Sequence, residues 1–140
     1  MKALLETIVD EFPNGELAAR PITGHECGEC IDIDRLLGGR TWREVAEHFP
    51  KYCHDSFPLL THDAKKHYLP AFLSLAVRDR GSMSGLSVAS AFERGELQKS
   101  EFTVGQQVAI LAWLEDRCAD DPGDPNAEAL VAKWRAEIQG

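Results

Sequence analysis

Two short stretches of this chain start alike. Thr41-Trp42-Arg43-Glu44 and Thr103-Val104-Gly105-Gln106 each set a threonine three residues ahead of a Glu or Gln. The threonine hydroxyl accepts from a first-turn amide, and the longer side chain reaches back to the threonine amide. Each stretch therefore marks the start of a helix. Apolar residues then recur at helical spacing. Trp42, Val45, Ala46 and Phe49 follow the first start, and Val104, Val108, Leu111, Ala112 and Leu114 follow the second. The same period runs through Leu4, Leu5, Ile8, Val9 and Phe12, and through Leu130, Val131, Trp134 and Ile138. No convincing pair of alternating strands is present. These features predict an all-α fold of five to seven helices.

Prolines and glycines set the expected boundaries. Pro13-Asn14-Gly15 stops the first helix and leaves 13–24 as a loop. IDIDRLLGGR reads as a short helix through Leu37, ended by Gly38-Gly39. Pro50 closes the helix begun at Thr41. Residues 56–81 are the most apolar part, with Thr61 as an N-cap and Asp63 in the first turn. Ala64, Tyr68, Phe72, Leu75 and Ala76 share a face there. Pro70 removes an internal hydrogen bond, so this central helix, around residues 61–79, is expected to kink or break. His62 and His67 are expected on its solvated side. A short helix is expected around residues 86–94. Asp124 then caps a last helix with Pro125 at its first position.

The 140 residues suit one compact domain, 1–140, large enough to hold a core without a metal or a disulfide. Apolar stretches are too short for a membrane span. Glu6, Asp10 and Glu11 interrupt the apolar N-terminal run, which argues against a secretory signal and points to the cytosol. The net charge of −8 keeps the chain in solution and disfavours nucleic acid as a partner. It suits another protein, a basic one in particular.

Within this frame one stretch stands out. Residues 24–30 read GHECGEC, with His25, Cys27 and Cys30 inside six positions. Thiolate and imidazole are the ligands zinc prefers. A C-x-x-C turn lets both sulfurs reach one ion, and His25, Cys53 and His54 are candidates to complete the set. The cofactor expectation is therefore none, or one zinc ion. An open zinc position would make Glu29 or Asp55 the nearest bases for hydrolysis. The alternative is that Cys27 and Cys30 pack as small hydrophobes. A thiol enzyme using Cys27 or Cys30 is a further alternative. The acids Glu26, Glu29, Asp32 and Asp34 argue against it, because negative neighbours disfavour a thiolate. His54-Asp55 has the order of a base with an orienting carboxylate, and equally the composition of a turn. No phosphate loop, nucleophile elbow or H-E-x-x-H motif occurs.

Several blocks fit together. They are H-x-C-x-E-C over 25–30, G-R-T-W over 39–42, H-D-S-F-P-L-L-T-x-x-A-x-x-x-Y-L-P-A-F-L over 54–73, and F-T-V-G-Q-Q over 102–107. Together they resemble a family of small, mostly helical bacterial proteins of unknown function, over roughly residues 25–115. The Y-L-P-A-F-L block is the most specific part. The resemblance implies a bacterial, cytosolic source and makes the H-x-C-x-E-C block part of the family fold. With no catalytic motif at hand, the expected function is non-enzymatic protein binding, for instance an immunity-type protein that neutralises a bacterial toxin.

Overall fold

The computed structural model describes residues 3–14 and 20–139, without the side chains of 138 and 139. Among them are seven α-helices: α1 Leu4–Glu11, α2 Gly28–Leu37, α3 Trp42–His48, α4 His62–Arg78, α5 Met83–Glu93, α6 Val104–Asp120 and α7 Pro125–Gln139. Short 3-10 turns cover Pro50–Cys53, Phe57–Leu59 and Lys99–Glu101. The all-α expectation holds. Outside the helices, an isolated antiparallel bridge joins Thr23 to Leu60. None of the described helices is long and apolar enough to cross a membrane.

Both predicted helix starts are built as read. Thr41 Oγ1 accepts from the Glu44 amide at 3.3 Å, and Glu44 Oε1 accepts from the Thr41 amide at 3.3 Å. Thr103 Oγ1 accepts from the Gln106 amide at 3.2 Å, and Gln106 Oε1 accepts from the Thr103 amide at 3.1 Å. Thr61 caps α4, and Asp124 accepts from the Asn126 amide at 3.0 Å to start α7. The turn out of α2 needs Gly39, whose φ of +78° is a region that side chains disfavour.

The chain divides into two compact units, 13–88 and 1–12 with 89–140. In the first, α3 packs against α4, and both meet the turn at Pro50–Cys53. α4 is the centre of this unit. Ala64, Tyr68, Leu69, Phe72 and Leu73 are fully buried along it. Tyr68 carries a polar group inward. Its hydroxyl sits 2.7 Å from the Leu37 carbonyl and 3.0 Å from the Arg40 carbonyl, which ties the α2–α3 turn to α4. Phe57 meets the Phe72 ring edge-on, at 4.8 Å between centroids.

In the second unit α6 packs against α7 and α1. Ile8 and Phe12 of α1, Ala109, Ile110, Trp113 and Leu114 of α6, and Leu130, Val131 and Trp134 of α7 are buried. Phe92 meets Trp134 edge-on at 5.2 Å.

Two expectations need correction, and a third in part. Of the kink or break expected at Pro70, the break does not occur: α4 is continuous from His62 to Arg78. Pro70 is buried among its apolar helix neighbours, and tertiary packing of this kind outweighs one lost helix bond. His67 is half-buried, not solvated: its ring meets Tyr68 edge-on at 4.6 Å, with Nε2 at 3.4 Å from the Arg40 carbonyl. On α6, Val104 and Val108 are 71% and 48% exposed. The buried face is the one through Ala109, Ile110, Trp113 and Leu114, because the large Trp113 buries more apolar area than two valines. Of the expected 13–24 loop, residues 15–19 lie outside the described residues, as does the side chain of Ile138.

Tyr68→Phe leaves two carbonyls to share the loss of one donor. It should lower the unfolding free energy by about 1–3 kcal/mol in urea titrations followed by circular dichroism. Burial pushes the Tyr68 phenol up to about 12, so the folded chain holds it neutral while the unfolded chain ionises it. Its contribution is complete below the ordinary tyrosine range and fades as pH climbs towards 12. The wild type should lose more stability than Tyr68→Phe over that window.

Candidate functional site

Residues 24–30 divide between a loop and a helix. Gly24 to Cys27 lead in, and Gly28, Glu29 and Cys30 form the first turn of α2. Cys27 is the N-cap, and its Sγ accepts from the Cys30 amide at 3.3 Å. The two cysteines thus take the same N-cap and third-position places that Thr41 and Glu44 take in α3. Cys27 is exposed, whereas Cys30 is fully buried.

Residues 20–24 hold the loop against this helix. Thr23 Oγ1 donates to the Cys30 carbonyl at 3.3 Å. The Ile22 amide donates to Asp34 Oδ1 at 2.8 Å. Arg20 donates to Asp34 Oδ2 at 3.2 Å and to the Asp34 carbonyl at 3.1 Å. Gly38 makes room here, since a Cβ at this position would collide with the Asp34 carbonyl and the Arg20 guanidinium. The opposite side of the segment is also fastened. The Gly24 amide donates to the Leu59 carbonyl at 3.2 Å, and the Thr61 amide to the Ile22 carbonyl at 2.8 Å.

These contacts split the two thiols. Cys27 is held below the usual thiol value, first by a hydrogen bond from the Cys30 thiol and then by the Cys30 amide; partial burial and the Glu29 charge oppose both. Cys30 is pushed up, chiefly because its proton is engaged by Cys27 and then by burial. The acidic neighbours were expected to disfavour a thiolate. Glu29 does act in that direction on Cys27, but direct hydrogen bonds to sulfur outweigh its exposed, water-screened charge. Asp34 spends its charge on Ile22 and Arg20, and is itself held below the usual carboxylate range by the Ile22 amide.

The other candidates lie elsewhere. His25 is exposed, and it is its backbone that hydrogen-bonds the Cys30 thiol. Cys53 is fully buried in the Pro50–Cys53 turn, where burial pushes its thiol up to about 12. His54 Nδ1 lies 3.0 Å from Ser82 Oγ, which also accepts from the Ser84 amide at 3.1 Å. That leaves Asp55 exposed beside it. Among the described residues, no three His, Cys, Asp or Glu side chains gather where a metal ion could sit. Cys27 and Cys30 come together, and His25, Cys53 and His54 do not join them in one cluster.

Beside the dithiol runs a cleft of about 350 Å³, lined among others by Arg20, Thr23, His25, Glu26, Ile31 and Arg35. Sequence reading missed Thr23, Ile31 and Arg35. The signal was there in part: Cys27, Ile31 and Arg35 are four residues apart and share a face once α2 starts at Gly28. The chain matches no protein-family model, no curated protein and no solved structure.

Iodoacetamide should label Cys27 first among the cysteines, and its labelling should persist to a lower pH than that of an ordinary thiol. Cys30 and Cys53 should stay unlabelled in the folded chain. Asp34→Ala leaves the buried Ile22 amide unpaired, at a cost of about 1–3 kcal/mol. It should loosen the loop and make Cys30 label at neutral pH, as read by mass spectrometry of the peptides.

Proposed function

We propose that this chain is a thiol-dependent enzyme, a dithiol–disulfide oxidoreductase with Cys27 as the attacking thiol and Cys30 as the resolving one. One observation carries the reading: exposed Cys27 caps α2 and accepts from Cys30, while Cys30 is buried directly behind it. A helix start favours the anionic sulfur and supplies its amide donor. The spacing of an N-cap and a third helical residue also suits the Cα separation a disulfide needs.

The chemistry balances without a cofactor. The Cys27 thiolate attacks one sulfur of a substrate disulfide, that S–S bond breaks, and the leaving thiolate takes a proton. The Cys30 thiol then loses its proton and attacks Cys27 Sγ. The second substrate thiolate leaves, and Cys27 and Cys30 end as a disulfide. Two electrons have passed to the substrate, and an external dithiol returns them. A reducing, cytosolic setting, as read from the sequence, keeps the pair in its reduced form. The test compares the wild type with two variants on a disulfide substrate such as insulin, with an external dithiol. The wild type should turn over, Cys27→Ser should be inactive, and Cys30→Ser should stop at a mixed disulfide seen as added mass. No Cys27–Cys30 disulfide under oxidant would overturn the reading. So would one zinc per chain that is lost on replacing both cysteines by alanine.

A second reading, non-enzymatic protein binding, draws on a different observation. Val104 and Val108, one turn apart on α6, are left 71% and 48% exposed, and single-turn apolar pairs of this kind suit a partner surface. If so, Val104→Asp with Val108→Asp should abolish capture of a partner from a bacterial lysate and leave the fold unchanged. Capture that survives both changes would remove this surface from consideration.

A further inference from the structure

The acidity of this chain is unevenly placed. Residues 1–12 with 89–140 carry 13 of the 23 Asp and Glu and six of the 15 Lys and Arg, a net charge of −7. Residues 13–88 carry the other ten acids and nine bases, a net −1. Within the acidic unit much of the excess gathers on two helices that pack together. α1 holds Glu6, Asp10 and Glu11 and no base, and α6 holds Glu115, Asp116 and Asp120 against Arg117. Glu115 is bridged to Arg135 of α7 at 3.0 Å, which leaves the two helices five acids against one base. The exposed valines lie on this same pair. Val104, Val108 and half-buried Leu111 share one face of α6. A carboxylate stands beside them: a Cβ on Gly105 would collide with the Glu11 side chain, so exposed Glu11 lies against the start of α6, next to Val104. The Gln106 side chain fixes that end of α1 by donating to the Glu11 carbonyl at 3.2 Å.

We propose that this α1–α6 face binds a basic protein, one whose surface sets an apolar side chain among Lys and Arg residues. This rests on the protein-binding reading of Val104 and Val108 and does not involve the dithiol. The partner's apolar side chain covers the two valines. Its cations meet Glu11 first and, over a Debye length of about 10 Å, the other acids of α1. The charge also draws a basic partner into encounter, in a salt-dependent way. Other occupants meet a physical objection. A second copy docked through the same face sets two acidic surfaces against each other. Nucleic acid and anionic lipid carry the same sign as the face.

The test titrates the full chain, by fluorescence anisotropy, with three labelled peptides of about 18 residues, five helical turns each. One has a leucine stripe with lysine elsewhere, one a leucine stripe with glutamate, and one alanine in place of leucine with lysine. The leucine–lysine peptide should bind at least about tenfold tighter than either of the others. Raising NaCl from about 0.05 to about 0.5 M should weaken it at least about fivefold. Val104→Ser with Val108→Ser, and separately Glu6→Gln with Glu11→Gln, should each weaken it at least about threefold. Glu26→Gln with Glu47→Gln removes as much charge from 13–88 and should leave binding within about twofold. Circular dichroism of all three variants should match the wild type. Equal binding of the leucine–lysine and leucine–glutamate peptides, or equal losses in the two charge variants, would overturn the basic partner. So would a dimer on size-exclusion chromatography that Val104→Ser with Val108→Ser abolishes, which gives the face to a second copy. If Val104→Asp with Val108→Asp still abolishes capture from the lysate in that case, the protein-binding reading stands with a partner of other chemistry. If capture survives as well, both fall.

Discussion

Asp34 is the residue on which the arrangement around the dithiol depends. A single carboxylate, from the middle of α2, accepts from the Ile22 amide and from Arg20. Ile22 is fully buried, so its amide has no water to turn to. With Asp34 in place, the segment 22–24 lies between α2 and the residues that lead into α4. Its carbonyl at Ile22 accepts from Thr61, the residue that caps α4. The start of the central helix, the loop before Cys27 and the body of α2 are thereby linked through a few short bonds. None of them lies at the sulfurs, yet together they fix where Cys30 is buried and where Cys27 emerges.

The two cysteines show how position overrides composition. Read as a string, GHECGEC is an acidic stretch in an acidic protein. In the folded chain, Glu29 is exposed and its field is spread through water, whereas the amide and thiol of Cys30 touch Cys27 directly. Short-range donors win over a screened charge. Cys53 shows the converse. Its shift has no charge among its causes: complete burial alone sends its thiol to about 12 and removes it from chemistry.

Much of the fold was legible because helix starts are local. Thr41, Thr61, Thr103 and Asp124 act through residues two or three positions on, and nothing distant has to be known. What needed distant partners was not legible. The inward face of α6 is decided by where α1 and α7 lie, and Trp113 wins a contest that valine spacing alone could not settle. The persistence of α4 through Pro70 reflects burial around it. At the site, the C-x-x-C pair was plain, but its reading turned on whether Gly28 opens a helix. Cysteine is not a usual cap, so the string gave no signal for that start. Thr23 and Asp34 become neighbours of the dithiol only through contacts 7 and 12 residues apart in sequence.

The placement of Cys27 bears on how such a site persists over generations. Its donors are the main chain and thiol of Cys30, and the main chain of a helix start is the same whatever side chains surround it. The side chains of Glu26, Glu29 and Asp32 supply none of these donors, so the setting asks only that the helix begin where it does and that the two cysteines keep their spacing. A site of this kind sits lightly on the sequence: lineages can diverge until their likeness is hard to see and still inherit the same pair of sulfurs in the same setting.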